Sequence, residues 1–163
     1  MASLLRSFFA RPVFKPTCTA RVVVRRRNFT AGNYFLCKKY TEDHEWVLLS
    51  DSNRNIATVG ITKYAQNALG EVVFVELPQA NTEVEVGQVI GAVESVKSAS
   101  DILSPISGTI AEANSKLGRN PKLINMSAED DGWICKIEVK DPVEIEALMD
   151  KKGYDAYVVG MDH

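Results

Sequence analysis

The chain is predicted to be mainly β, a small sandwich or barrel of short strands with a few helices added at its N-terminal side and C-terminus. Three observations predict it. Apolar runs of four to seven residues recur from Trp46 to Val139, each rich in Val, Ile or aromatic residues. Gly, Pro, Asn and Ser punctuate them. Several segments, above all residues 133–140, alternate with a period of two.

Taken in order, the first strand is Trp46 to Leu49, ended by the turn cluster Ser50-Asp51-Ser52-Asn53. Ile56 to Ile61 form the second. A helix follows, with Thr62 as N-cap and Gly70 as its stop. Glu71 to Leu77 are β-branched and aromatic, then halted by Pro78. Val84 and Val86 alternate with Glu83 and Glu85 before Gly87. Val89 to Val93 enter a hairpin whose exit strand carries Ile102, Leu103 and Ile106. Thr109 to Ala113 form the next strand, and Ser115 to Gly118 a short helical turn. In the strand Trp133 to Val139, the residues Trp133, Cys135, Ile137 and Val139 share the buried face. The last element is one helix from Asp141 to Gly153. Asp141 caps it, Pro142 takes its first position, Glu144 completes a capping box, and Gly153 ends it. Ile145, Leu148 and Met149 are its apolar face.

Charge divides the chain. Residues 1–39 hold nine basic residues and no acid; residues 40–163 hold the other ten and all 21 acids, a net of −11. The first segment is rich in Arg and carries scattered Ser, Thr, Ala, Leu4, Leu5, Phe8 and Phe9, the composition of a mitochondrial transit peptide. Arg27-Asn28-Phe29-Thr30 matches a matrix-processing pattern, which places a cut after Phe29 with later trimming up to about Cys37. The predicted organisation is a transit peptide over 1–29 (to about 37 after trimming), a folded domain over 38–158 and a loose tail over 159–163. The run Arg25-Arg26-Arg27 without a folded context, on so acidic a body, argues against nucleic acid. No apolar run reaches membrane-spanning length, about 18 residues.

Catalytic groups are sparse. The histidines are His44 and the last residue, His163. No glycine-rich phosphate loop opens a helix. His44-Glu45 lacks a second histidine at zinc spacing. Asp130-Asp131-Gly132 lacks the further oxygen ligands of a calcium loop and reads as a turn. Cys135 has no His or Lys beside it and reads as packing. This pattern favours a carrier or binding module over an enzyme.

Lys97 is the candidate functional residue. It lies at the tip of the hairpin Gly91-Ala92-Val93-Glu94-Ser95-Val96-Lys97-Ser98-Ala99-Ser100-Asp101-Ile102, and is the only Lys or Arg between Lys63 and Lys116. An isolated amine between small residues on an exposed turn is open to a modifying enzyme, and a prosthetic group there brings chemistry the protein lacks. The plainer reading is a solubilising surface charge. Glu94 and Ser95 are candidates for recognition by the attaching enzyme, and Glu94 reads equally as surface charge.

Seven blocks in order carry a resemblance. They are Tyr40-Thr41-Glu42-Asp43-His44-Glu45-Trp46-Val47, Val59-Gly60-Ile61-Thr62, Ala65-Gln66-Asn67-Ala68-Leu69-Gly70-Glu71-Val72-Val73-Phe74, Glu94-Ser95-Val96-Lys97-Ser98, Ser104-Pro105-Ile106-Ser107-Gly108, Asn120-Pro121-Lys122-Leu123-Ile124-Asn125 and Asp131-Gly132-Trp133. Together they are similar to the H protein family of the glycine cleavage system, over about residues 38–158. The resemblance implies a barrel-sandwich hybrid of the lipoyl/biotinyl type and a non-catalytic carrier in the mitochondrial matrix. It implies lipoate in amide linkage on Lys97. It also implies four partners: a pyridoxal-phosphate (PLP) glycine decarboxylase, a tetrahydrofolate-dependent aminomethyltransferase, an FAD-containing dihydrolipoamide dehydrogenase and a lipoate-attaching enzyme. The carrier would shuttle the aminomethyl group of glycine from the first to the second and be reoxidised by the third. Three alternatives remain. Biotin carriers place Met on both sides of the lysine, where this chain has Val96 and Ser98. Lipoyl modules of other complexes continue into a catalytic domain. An interaction protein would leave Lys97 bare.

Overall fold

The computed structural model describes residues 37–50 and 55–161. The predicted transit peptide, the turn residues Asp51 to Asn53, and His163 lie outside the described residues. β1 (Lys39–Tyr40), β2 (Glu45–Leu49) and β3 (Ile56–Ile61) run antiparallel in sequence, followed by α1 (Lys63–Leu69). Then come β4 (Val72–Glu76), β5 (Glu83–Val84), β6 (Val89–Ser95), β7 (Ala99–Leu103) and β8 (Gly108–Ala113). α2 (Ser115–Arg119), α3 (Leu123–Ser127), β9 (Cys135–Val139), α4 (Val143–Ala147) and α5 (Lys151–Met161) complete the chain.

The strands form two antiparallel sheets. One has six strands in the order β1-β2-β3-β9-β8-β5, the other three in the order β4-β6-β7. Both contribute to one core, which includes Val47, Val59 and Ile137 of the larger sheet and Val72, Val93 and Ile102 of the smaller. The predicted mainly β architecture of two small sheets is therefore observed, and its period-two patterns come from sheets with one face buried. Burying apolar faces from two sheets against each other is the main source of stability in such a fold.

Local chemistry accounts for the element ends. Thr62 caps α1, its Oγ1 accepting from the Ala65 N–H at 3.3 Å, and Gly70 ends the helix at φ 82°, a conformation that favours glycine. Gly60 has a different reason. A Cβ there would stand 2.8 Å from the Trp46 ring, which is 1% exposed and donates from Nε1 to the carbonyls of Ile61 and Ala128. His44 turns the chain between β1 and β2 with a left-handed φ of 71°.

The structure corrects the last predicted helix. Pro142, not Asp141, stands at the N-cap; Asp141 Oδ1 accepts from the Val143 N–H at 2.9 Å from one residue further back, and the helix is α4 alone. Leu148 is extended, and Met149 pairs with Tyr40, exchanging two backbone hydrogen bonds of 2.9 and 3.0 Å. That pairing breaks the helix where the sequence shows only continuous apolar spacing. Asp150 then caps α5, accepting from the Gly153 N–H at 2.7 Å, so Gly153 begins a helix instead of ending one. Glu144 makes no capping box. Its carboxylate accepts from the Ser107 N–H and hydroxyl at 2.6 and 2.9 Å and ties α4 to the turn before β8. Residues 159–161, assigned to a loose tail, stand in α5. Cys135 and Ile137 are buried as expected. Ile134, placed by alternation on the outer face, is also buried, because the regular strand begins only at Cys135.

Candidate functional site

β6 and β7 pair from Val89↔Leu103 to Glu94↔Ala99, which leaves a tight tip at residues 95–98. Ser95 builds that tip. Its N–H donates to the Ser98 carbonyl at 2.7 Å. Its hydroxyl also donates to that carbonyl, at 2.9 Å, and accepts from the N–H groups of Lys97 and Ser98 at 3.3 and 3.1 Å. A short hydroxyl side chain that bonds to nearby backbone is what a turn needs. Lys97 is exposed at the tip, and among the described residues no ion pair involves it. Val96 beside it is 77% exposed. Glu94 is exposed on β6, opposite Ala99 on one side and Phe74 on the other.

The stem of Lys97 lies over the end of α1. A Cβ built on Gly70 would stand 3.3 Å from Lys97 Cε. The Val96 N–H donates to the Glu71 carbonyl at 3.3 Å, so the tip leans on Gly70 and Glu71.

A cavity of about 300 Å³ opens beside the hairpin. The tip supplies Ser98 and β7 supplies Ala99 to Asp101 at its edge, α1 contributes Ala65 and Ala68, the β1–β2 turn contributes Asp43 and His44, and β2 contributes Glu45. Three carboxylate residues thus share one small space. Glu45 is 3% exposed, and burial raises its pKa above the ordinary carboxylate range. Two partners stabilise it: the Thr41 hydroxyl, and the Leu103 N–H donating to Oε1 at 3.1 Å. His44 is held from behind. Its Nδ1 lies 2.9 Å from the Tyr154 hydroxyl, which is itself 2.8 Å from Thr62 Oγ1. Desolvation lowers the His44 pKa, which keeps its imidazole neutral near pH 7.

The remaining sequence candidates do not gather here. Cys135 is fully buried in β9, and burial raises its pKa to about 12. Among the described residues no group of three or more His, Cys, Asp or Glu is placed to hold a metal ion. No described helix is long and apolar enough to cross a membrane. The tip is legible in the sequence and the cavity is not. Asp43, Glu45 and Asp101 are ordinary acids in the sequence and converge only when the β1–β2 turn meets β7. The block Glu42-Asp43-His44-Glu45, next to a buried Trp, was the one available signal.

Comparison with known proteins places this geometry. Residues 38–160 match the family model described as glycine cleavage H-protein. A mitochondrial glycine cleavage system H protein 3 of Arabidopsis thaliana is 53% identical over 119 residues, covering 73% of this chain and 70% of that one. The glycine cleavage system H protein of Thermotoga maritima is 48% identical over 120 residues, covering 74% and 94%. A crystal structure of a glycine cleavage system H protein from Mycobacterium marinum superposes with a TM-score of 0.68 at 31% identity, covering 76% of this chain and 98% of that one.

Proposed function

The chain belongs to the glycine cleavage H-protein family, and from that premise we propose that it is the lipoyl carrier of the glycine cleavage system, with lipoate in amide linkage on Lys97. The observation that carries this reading is the exposed Lys97 amine on a turn fixed by Ser95, with an acidic cavity alongside. The residues fit the group. The tip gives an attaching enzyme access from outside, and Val96 and Ser98 leave the arm unobstructed. A cavity of about 300 Å³ within reach of a lysyl arm can shelter its far end.

Attachment turns a cationic amine into a neutral amide. The bound group supplies the chemistry of an accessible disulfide, able to hold the aminomethyl fragment of glycine. The protein contributes position and charge. Asp43, Glu45 and Asp101 favour a cationic amine brought into the cavity from Lys97, and its apolar walls limit the water that reaches it. In this reading the chain shuttles between PLP-dependent glycine decarboxylase and the tetrahydrofolate-dependent aminomethyltransferase, and FAD-containing dihydrolipoamide dehydrogenase reoxidises it. Its acidic body is steered toward basic rims on those partners. Glu94, exposed beside the tip, serves recognition by the lipoate-attaching enzyme. Ser95 serves the same recognition by fixing the turn. The leader over 1–29, trimmed up to about residue 37, delivers the domain 38–158 to the mitochondrial matrix, and the mitochondrial name of the Arabidopsis relative supports that destination.

Peptide mass spectrometry of protein isolated from mitochondria tests the reading. Trypsin should leave residues 64–116 uncut at Lys97, with the mass of one lipoyl amide added. Cleavage at a free Lys97 during active glycine breakdown refutes it, and a biotinyl increment assigns the chain to the rival carrier class.

A further inference from the structure

The segment Asn120 to Asn125 belongs to none of the chemistry above, yet it holds the surface on which the tether rests. Asn125 sits in α3, and its side chain spans the start of β4. Nδ2 donates to the Gly70 carbonyl at 2.6 Å, and Oδ1 accepts from the Val72 N–H at 2.9 Å. Only one orientation of the amide satisfies both partners, and among side chains of this length only asparagine both donates and accepts in this way. The amide takes the place of a neighbouring strand for residues 70–72.

That segment needs such a partner. Gly70 departs from helical geometry at φ 82° and ψ −139°, and the register between β4 and β6 slips between Val72 and Phe74. Regular pairing reaches only its last residue, Val72, which stands opposite Ser95. The residue enclosed by the clamp, Glu71, presents the carbonyl that receives the Val96 N–H, and Gly70 presents the bare Cα under the Lys97 stem. The other link from this region, Lys122 to Glu71 at 2.7 Å, is an exposed ion pair and adds little.

We infer that Asn125 is a positioning residue for the Lys97 tether: by clamping Gly70 and Val72 it fixes the backbone platform that seats Val96 and the lysyl stem. The inference rests on the carrier reading for its purpose but not for its geometry.

The test compares apo-protein of the full chain with its Asn125→Ala and Asn125→Asp variants. The alanine removes both bonds; the aspartate keeps the acceptor for Val72 and loses the donor to Gly70. In Asn125→Ala the Val96 amide should exchange with solvent about tenfold faster, the effect expected for a lost pair of hydrogen bonds. The Val59 amide, in β3, should stay protected as before. With lipoate, ATP and a lipoate ligase, the KM for apo-protein should rise several-fold while kcat stays within about twofold. Asn125→Asp sets a carboxylate oxygen against the Gly70 carbonyl, so it should speed Val96 exchange at least as much as alanine does, and it decides the matter alone if the alanine variant does not fold. Unchanged Val96 exchange overturns the inference. Faster exchange with an unchanged KM also overturns it, since Asn125 would then serve folding only. A wild-type chain that accepts no lipoate refutes the carrier reading, and the Val96 exchange result still stands.

Discussion

Two corners of the molecule use polar side chains in opposite ways. At the hairpin tip, the Ser95 hydroxyl bonds only within its own four-residue turn, to the backbone of Lys97 and Ser98 and to the Ser98 hydroxyl at 3.5 Å, and the bonds are exposed. At the corner of Tyr40, His44 and Tyr154, the Tyr154 hydroxyl joins α5 to the β1–β2 turn and to the N-cap of α1. Its ring stacks on Tyr40 with centroids 4.7 Å apart, and Tyr154 is 3% exposed. The first arrangement fixes the shape of four residues and leaves Lys97 exposed. The second ties distant elements together out of water. In the carrier reading proposed above, the first arrangement suits an attachment point and the second holds together the fold behind it.

Four substitutions test that division, the largest effect first. Lys97→Arg should abolish lipoylation and glycine–bicarbonate exchange completely while leaving the midpoint of thermal unfolding within about 1 °C, because no buried contact is lost. A clear fall in the midpoint would show that the tip supports the fold. Trp46→Ala, at the other corner, should cost about 3–5 kcal/mol by denaturant titration, since a buried indole leaves a cavity and two carbonyls lose their donor. Its folded fraction should still accept lipoate on Lys97. Tyr154→Phe should cost about 1–3 kcal/mol, because Thr62 Oγ1 and His44 Nδ1 lose a buried partner. A loss below that range would mean that water replaces the hydroxyl.

The smallest expected effect concerns pH. Burial raises the folded-state pKa of Glu45, so the native chain holds this proton more tightly than the unfolded one. The contribution of this group to stability is therefore fully present below the ordinary carboxylate value of 4.5 and declines as pH rises through the higher folded pKa. Glu45→Gln should flatten that decline, measured as unfolding free energy from pH 4 upward. An unchanged slope would assign the decline to other groups.

Much of this division was legible in the sequence. Strand alternation, the Thr62 cap, the Gly70 stop and the lone Lys97 on its turn all arise from local chemistry, and local chemistry is written in neighbouring residues. What escaped depends on contacts between distant segments. The two-residue β1 exists because Met149 and β2 flank it, and the same Met149 pairing splits the last helix. α3 begins without a side-chain cap and is only five residues long, so it offered no start signal, although it supplies Asn125. The cavity is assembled from a turn and a strand that lie far apart in sequence.

The pairing pattern also bears on how the molecule comes to exist. β6 and β7 are adjacent in sequence and close across a few residues, whereas β3 finds β9 only after the chain between Val59 and Cys135 has been drawn in. Hairpins form in about 1–10 μs, while long-range sheet closure is the slower event. A folding chain would thus present its lysine loop before a finished body stood behind it. The Gly70 seat, contributed by a helix end and clamped from α3, arrives only with closure. An attaching enzyme that reads the seat as well as the loop would then distinguish a completed molecule from one still collapsing.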